Sequence, residues 1–225
     1  MAGTERLDNT GLVTPREFTL ALAETNGGIR LADERKKLAS GRLSLFYINL
    51  GDLVVSYPHV KNLATRAAVQ TYLETGVNVD RVIGVPEGMN MLASSIGDLM
   101  GVGQLRVREQ MSDHGDQRSI EGNFEEGMRV GVFEDVMSTG GSTEKRSINP
   151  LRAVGLKPEV VIALVDREYG GIPAMRRLGL TVAAFTNTTQ MAEILIAEGG
   201  LPDNKIRLLQ EELAELKEFR ESQLS

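Results

Sequence analysis

Short β-rich apolar runs and longer stretches of helical spacing follow one another along this chain. Thr14-Pro15-Arg16-Glu17 joins a capping box to a proline at the first helical position, which predicts a helix to about Glu24 that Asn26-Gly27-Gly28 ends. Residues 43–50 read as a strand, and residues 60–75 as a helix closed by Gly76. Residues 82–85 form a short apolar run that points into Pro86-Glu87-Gly88, and helical spacing resumes over 91–99. Residues 105–108, 128–133, 160–165 and 181–186 read as further strands. Strands separated by helices of this length predict an α/β fold, a central parallel sheet flanked by helices with binding loops at the carboxyl ends of its strands.

Past Gly200, Leu201-Pro202-Asp203-Asn204 is a helix-start signal, and Ile206, Leu209, Leu213 and Leu216 keep a, d spacing. Residues 204–225 therefore read as an amphipathic helix after a domain of residues 1–203. Such a helix either packs on its own domain or meets a second subunit or partner.

Composition narrows the function. At 225 residues the chain can bury one good core. The absence of cysteine excludes disulfides, thiolate metal sites and thiol catalysis, and fits a reducing cytoplasm. No apolar run is long enough to span a bilayer, and residues 1–9 are polar rather than signal-like, so no membrane partner is expected. A net charge of −6 argues against binding nucleic acid. A strongly anionic small substrate would need local arginines or magnesium to offset that field.

The run from Arg129 through Glu134-Asp135 to Ser138-Thr139-Gly140-Gly141-Ser142 carries the most specific chemistry. It reads as a buried strand delivering two carboxylates, a tight turn of small residues, and a helix start. An ionised carboxylate only accepts hydrogen bonds, and each hydroxyl of a sugar diol offers one donor. Glycines in the turn permit close backbone approach with amides aimed at a phosphate, and the helix adds the positive end of its dipole. The segment reads as a binder of a phosphorylated ribose.

This segment resembles the PRPP-binding loop of the type I phosphoribosyltransferases, and the wider chain resembles the orotate phosphoribosyltransferase family. Ala163-Leu164-Val165-Asp166-Arg167-Glu168-Tyr169-Gly170-Gly171 is similar to the strand end whose arginine lies against the base. Arg108, Asp113-His114-Gly115 and Ile120-Glu121-Gly122 match the frame of the mobile catalytic loop. Pro86, Glu87 and Gly88 stand where the family has its pyrophosphate loop, and Ser40-Gly41-Arg42 with Phe46-Tyr47-Ile48 stands where its hood strands begin, within a hood of about residues 15–50. The resemblance covers roughly residues 15–200.

It implies transfer of phosphoribose from PRPP to a planar base such as orotate, giving orotidine monophosphate and pyrophosphate. Glu134 and Asp135 would hold the ribose, and Ser138, Thr139, Gly140, Gly141 and Ser142 the phosphate. Arg108 and His114 would act on the leaving group, with Asp135 the third catalytic residue, and Arg167, Phe46 and Ser138 would contact the base. Magnesium would arrive on PRPP rather than on direct protein ligands. A cytoplasmic homodimer or larger homo-oligomer would be expected, with the mobile loop of one subunit reaching the other's site.

The departures bear on activity. The family carries lysine where this chain has Ala39, Glu87, Glu109 and Ser112, and no lysine occurs from Asn62 to Glu144. At an effective dielectric near 20, a unit pair about 4 Å apart is worth roughly 4 kcal/mol, so a reversed sign beside pyrophosphate matters, though a solvated loop feels less. Three readings stay open: an orotate phosphoribosyltransferase, an enzyme for another base, and a weakened homologue that binds PRPP or a nucleotide as a sensor or assembly protein.

Overall fold

The computed structural model describes residues 11–38, 41, 43–108 and 119–222. Helix α1 (Pro15–Glu24) starts as its capping box predicts, with Thr14 Oγ1 accepting from the Glu17 amide at 3.1 Å. It is followed by an antiparallel ribbon of β1 (Ile29–Lys37) and β2 (Leu43–Ile48). Two helices, α2 (Leu50–Ser56) and α3 (Pro58–Glu74), lead to β3 (Arg81–Gly84). Next come α4 (Asn90–Met100), β4 (Gly103–Val107) and the two-residue β5 (Ile120–Glu121).

The second half opens with β6 (Arg129–Met137) and a helix, α5, over residues 141–153. Its middle turn, Glu144–Ile148, is π-helical. Then follow β7 (Lys157–Asp166), α6 (Gly171–Arg177), β8 (Thr181–Asn187), α7 (Thr188–Glu198) and α8 (Asp203–Ser222).

The main sheet runs in the order β5-β4-β3-β6-β7-β8; β4, β3, β6, β7 and β8 are parallel, and β5 is antiparallel at one edge. Alternate side chains divide between two cores on opposite faces, as the two-residue period of a strand requires. Val82, Phe133, Val160 and Ile162 pack on one side with α1, α3 and α4, while Ile83, Val132, Val161 and Ala163 pack on the other with Ile148 and Leu151 of α5. Phe133 is fully buried. Truncating such a side chain to alanine costs about 3–5 kcal/mol. Strand order reverses between β3 and β6, so a crevice opens beyond their carboxyl ends, the usual ligand position in such sheets.

Several boundaries differ from the sequence reading. The strand expected over 43–50 stops at Ile48, and Leu50 begins α2, whose N-cap Asn49 accepts from the Asp52 amide. Strand β6 runs on to Met137, held by the pairs Val136 with Val165 and Met137 with Asp166. Glu134 and Asp135 are therefore on the strand itself.

Candidate active site

The crevice at the sheet's switch point is a cleft of about 590 Å³, bounded by Pro86–Gly88 after β3, by Glu134, Asp135 and Val136 of β6, by residues 138–142, and by Arg146 and Arg167. Because adjacent strand residues leave from opposite faces, the two carboxylates face different surroundings. Glu134 is 5% exposed and receives a hydrogen bond from Thr143 Oγ1 on α5. Burial pushes its carboxyl up to about 8, the Thr143 bond only partly offsetting it. At neutral pH Glu134 is then largely protonated and can donate as well as accept.

Asp135 turns the other way. Its Oδ1 accepts from the Val136 amide at 2.8 Å, and its Oδ2 would lie 2.8 Å from a Cβ on Gly88. Only glycine lets the 86–88 turn close on this carboxylate. Burial raises the Asp135 carboxyl, while backbone hydrogen bonds and the Arg167 charge pull it down.

The small-residue turn is shaped by Gly140, whose φ of +80° is left-handed and whose hypothetical Cβ would meet Met175 Cε at 2.9 Å. The bond from the Glu144 amide to the Gly140 carbonyl, 2.9 Å, then opens α5. Arg146 lies four residues past Ser142, a spacing that puts both on one helix face, and both line the cleft. Across from it, Arg167 at the end of β7 is buried and donates from Nη1 to the Phe46 carbonyl at 3.1 Å. The ionisable side chains lining the cleft among the described residues are Glu87, Glu134 and Asp135 against Arg146 and Arg167.

Known proteins resemble the chain in sequence and in fold. No family model matches the chain. An orotate phosphoribosyltransferase of Sorangium cellulosum is 38% identical over 162 residues, 68% of this chain and 81% of that protein. One from Aquifex aeolicus is 32% identical over 169 residues, 72% and 90%. The chain belongs to the orotate phosphoribosyltransferase family. The fold agrees: UMP synthase of Leishmania donovani superposes with a TM-score of 0.77 at 26% identity, over 89% of this chain and 42% of that longer one. Orotate phosphoribosyltransferase of Aeropyrum pernix gives 0.67 at 24% identity, over 79% and 98%.

Not every residue expected from the orotate phosphoribosyltransferase pattern meets in the cleft. Arg108 is outside the lining among the described residues, with its guanidinium 2.6 Å from Glu121 on β5. That pairing, with Arg106 beside it, holds the Glu121 carboxyl below its ordinary value. Phe46 is also outside the lining: its side chain, 1% exposed, is in the core, because the ribbon's largest apolar group is better buried than offered to a wet cleft, and its carbonyl is what reaches Arg167. Ile48 and Leu38 line the cleft from the β1–β2 ribbon. His114, Asp113, Gly115, Glu109, Ser112, Ala39, Ser40 and Arg42 lie outside the described residues. Arg146 was missed by sequence reasoning, although its i+4 relation to Ser142 was a usable signal.

Proposed function

We propose that the chain transfers a phosphoribosyl group from PRPP to orotate, the reaction for which its family is named. The observation carrying this reading is that the acid-bearing end of β6 and the turn at 138–142 share one cleft at the switch point. Residues 138–142 would cradle the 5′-phosphate on backbone amides, with Arg146 adding charge. Asp135 would accept a ribose hydroxyl, and Glu134 would complete the diol contact. Arg167, held by the Phe46 carbonyl, would lie over the planar base.

In the transfer the ribose C1–oxygen bond breaks, pyrophosphate departs and the base nitrogen bonds to C1. The transition state has oxocarbenium character, so catalysis consists of holding the ribose and stabilising the departing charge. Magnesium would enter as a substrate-borne ion, into a cleft whose lining includes the Glu87 and Asp135 side chains. Oxygens of PRPP suit a hard cation that keeps its waters, and Asp135 would stand beside it. Bound there, it would neutralise pyrophosphate oxygens.

A weakened, nucleotide-binding role is the second reading, favoured by Glu87 lining the cleft where the family has a cation. Calorimetric titration with PRPP, orotate and orotidine monophosphate, with and without magnesium, followed by an orotate turnover assay, separates the two. Binding with brisk turnover supports the enzyme, binding without turnover the second reading, and no binding overturns both. Asp135→Asn should weaken PRPP binding by about 1.5–3 kcal/mol, the worth of a hydrogen bond to a charged group. Unchanged affinity in that variant would remove the diol assignment. The proposal also includes a cytoplasmic homodimer.

A further inference from the structure

We infer that helix α8 is a positioning device for Arg167, acting through Glu212 and Arg220, and that affinity for the base depends on it. This rests on the proposed placing of Arg167 against the base. Two separate paths run from α8 to that arginine.

The first begins at Glu212, in the middle of α8 and 2% exposed. Its carboxylate accepts from Ser44 Oγ at 2.7 Å and from the Leu45 amide at 2.7 Å, both on β2. A buried carboxylate that loses such donors is expensive, so these bonds fix α8 and β2 relative to each other. The next residue, Phe46, presents the carbonyl that receives Arg167 Nη1. Glu212 thus sets the place of the acceptor that holds the guanidinium.

The second path reaches the backbone of Arg167. Its neighbour Glu168 is buried with φ at +62°, a left-handed conformation uncommon for a residue other than glycine. Such a residue persists where its surroundings over-determine it. Here Arg220, in the last turn of α8, pairs with Glu168 Oε1, and Oε2 accepts from the Thr189 amide at 2.8 Å and its hydroxyl at 2.6 Å. Loss of Arg220 would leave a buried carboxylate short of a partner and free the Asp166–Tyr169 turn to relax, carrying Arg167 with it. Other α8 contacts, such as the 2.5 Å pair of Glu215 with Arg35 on β1, hold the ribbon without leading to Arg167.

The test compares binding of orotidine monophosphate with binding of ribose 5-phosphate, which lacks the base. Arg220→Ala and the near-isosteric Glu212→Gln should each weaken orotidine monophosphate by about tenfold, the scale of one hydrogen bond to a charged group, with ribose 5-phosphate held within about twofold. Arg220→Lys should recover part of the loss, and Arg35→Ala should change neither ligand. Equal weakening of both ligands with a lowered melting temperature would make α8 merely structural and overturn the inference, as would unchanged binding in Arg220→Ala and Glu212→Gln. Arg167→Ala separates this from the underlying reading. Should it bind orotidine monophosphate like wild type, the base assignment falls. Should it alone lose affinity, only the role of α8 falls.

Discussion

Arg146 and Glu87 face the same cleft with opposite charge, and single substitutions at each read out what that cleft must bind. Arg146 follows the turn at 138–142 by one helical turn, where a guanidinium could meet the oxygens of a bound phosphate in pairs. Arg146→Ala should weaken ribose 5-phosphate and PRPP alike by about 1.5–3 kcal/mol and flatten the salt dependence of binding, measured by calorimetry at several ionic strengths. A loss confined to PRPP would place the arginine on pyrophosphate instead. Glu87 stands in the turn after β3, its Oε2 3.4 Å from Asn90 Nδ2. Glu87→Lys should tighten PRPP and leave ribose 5-phosphate nearly unchanged, because it restores positive charge only where pyrophosphate would lie. Equal effects on both ligands would contradict that geometry.

At the scale of elements, the bond between Glu134 on β6 and Thr143 on α5 ties stability to pH. The Glu134 carboxyl moves from an ordinary 4.5 to about 8 on folding, mainly through burial. The folded chain therefore holds this proton more tightly than the unfolded one. Its contribution to stability is fully present below about 4.5 and is lost as pH rises through about 8. Urea melts from pH 5 to 9 should show wild type falling by roughly a few kcal/mol against Glu134→Gln, which keeps an acceptor for Thr143 and cannot ionise. Parallel curves would mean that the carboxyl ionises normally in the fold.

Elements also differ in how openly the sequence declares them. Helix α1 and the strands β3 and β7 are written in capping and apolar runs, which local physics reads directly. Strand β1, IRLADERKK, is mostly charged and has no buried face of its own. It is held by pairing with β2 and by Lys205, whose Nζ reaches the Leu31 and Ala32 carbonyls at 3.0 and 2.7 Å. No local pattern encodes a partner more than 170 positions away. The cleft followed the same division. That the small-residue turn at 138–142 would line a cleft was legible in the sequence, whereas the burial of Phe46 and the pairing of Arg108 with Glu121 depend on tertiary neighbours.

For the whole molecule, exposed apolar groups bear on assembly. Val55 on α2 and Met91 on α4 are 64% and 54% exposed, on helices either side of the close approach of Gly51 to Gly88. A symmetric pair would cover both helices next to the cleft. Light scattering at micromolar concentration should therefore report a homodimer, and Val55→Glu with Met91→Glu should shift it toward monomer. A monomeric wild type would count against the assembly.

The joining of β2 to α8 has a consequence in time as well as in space. Strand β2 ends at Ile48, but the carboxylate that fixes it, Glu212, is made more than 160 residues later. At about 5–20 residues per second, that partner emerges on the order of ten seconds later. By the end of that interval the sheet can assemble and the turn at 138–142 can form, both being made of residues synthesised before Glu212. The wall behind the base cannot. On the proposed placing of the ligands, a nascent chain halted before α8 would thus carry the ribose phosphate pocket with no finished seat for a base, so that choice of a base would come later than hold on the phosphate.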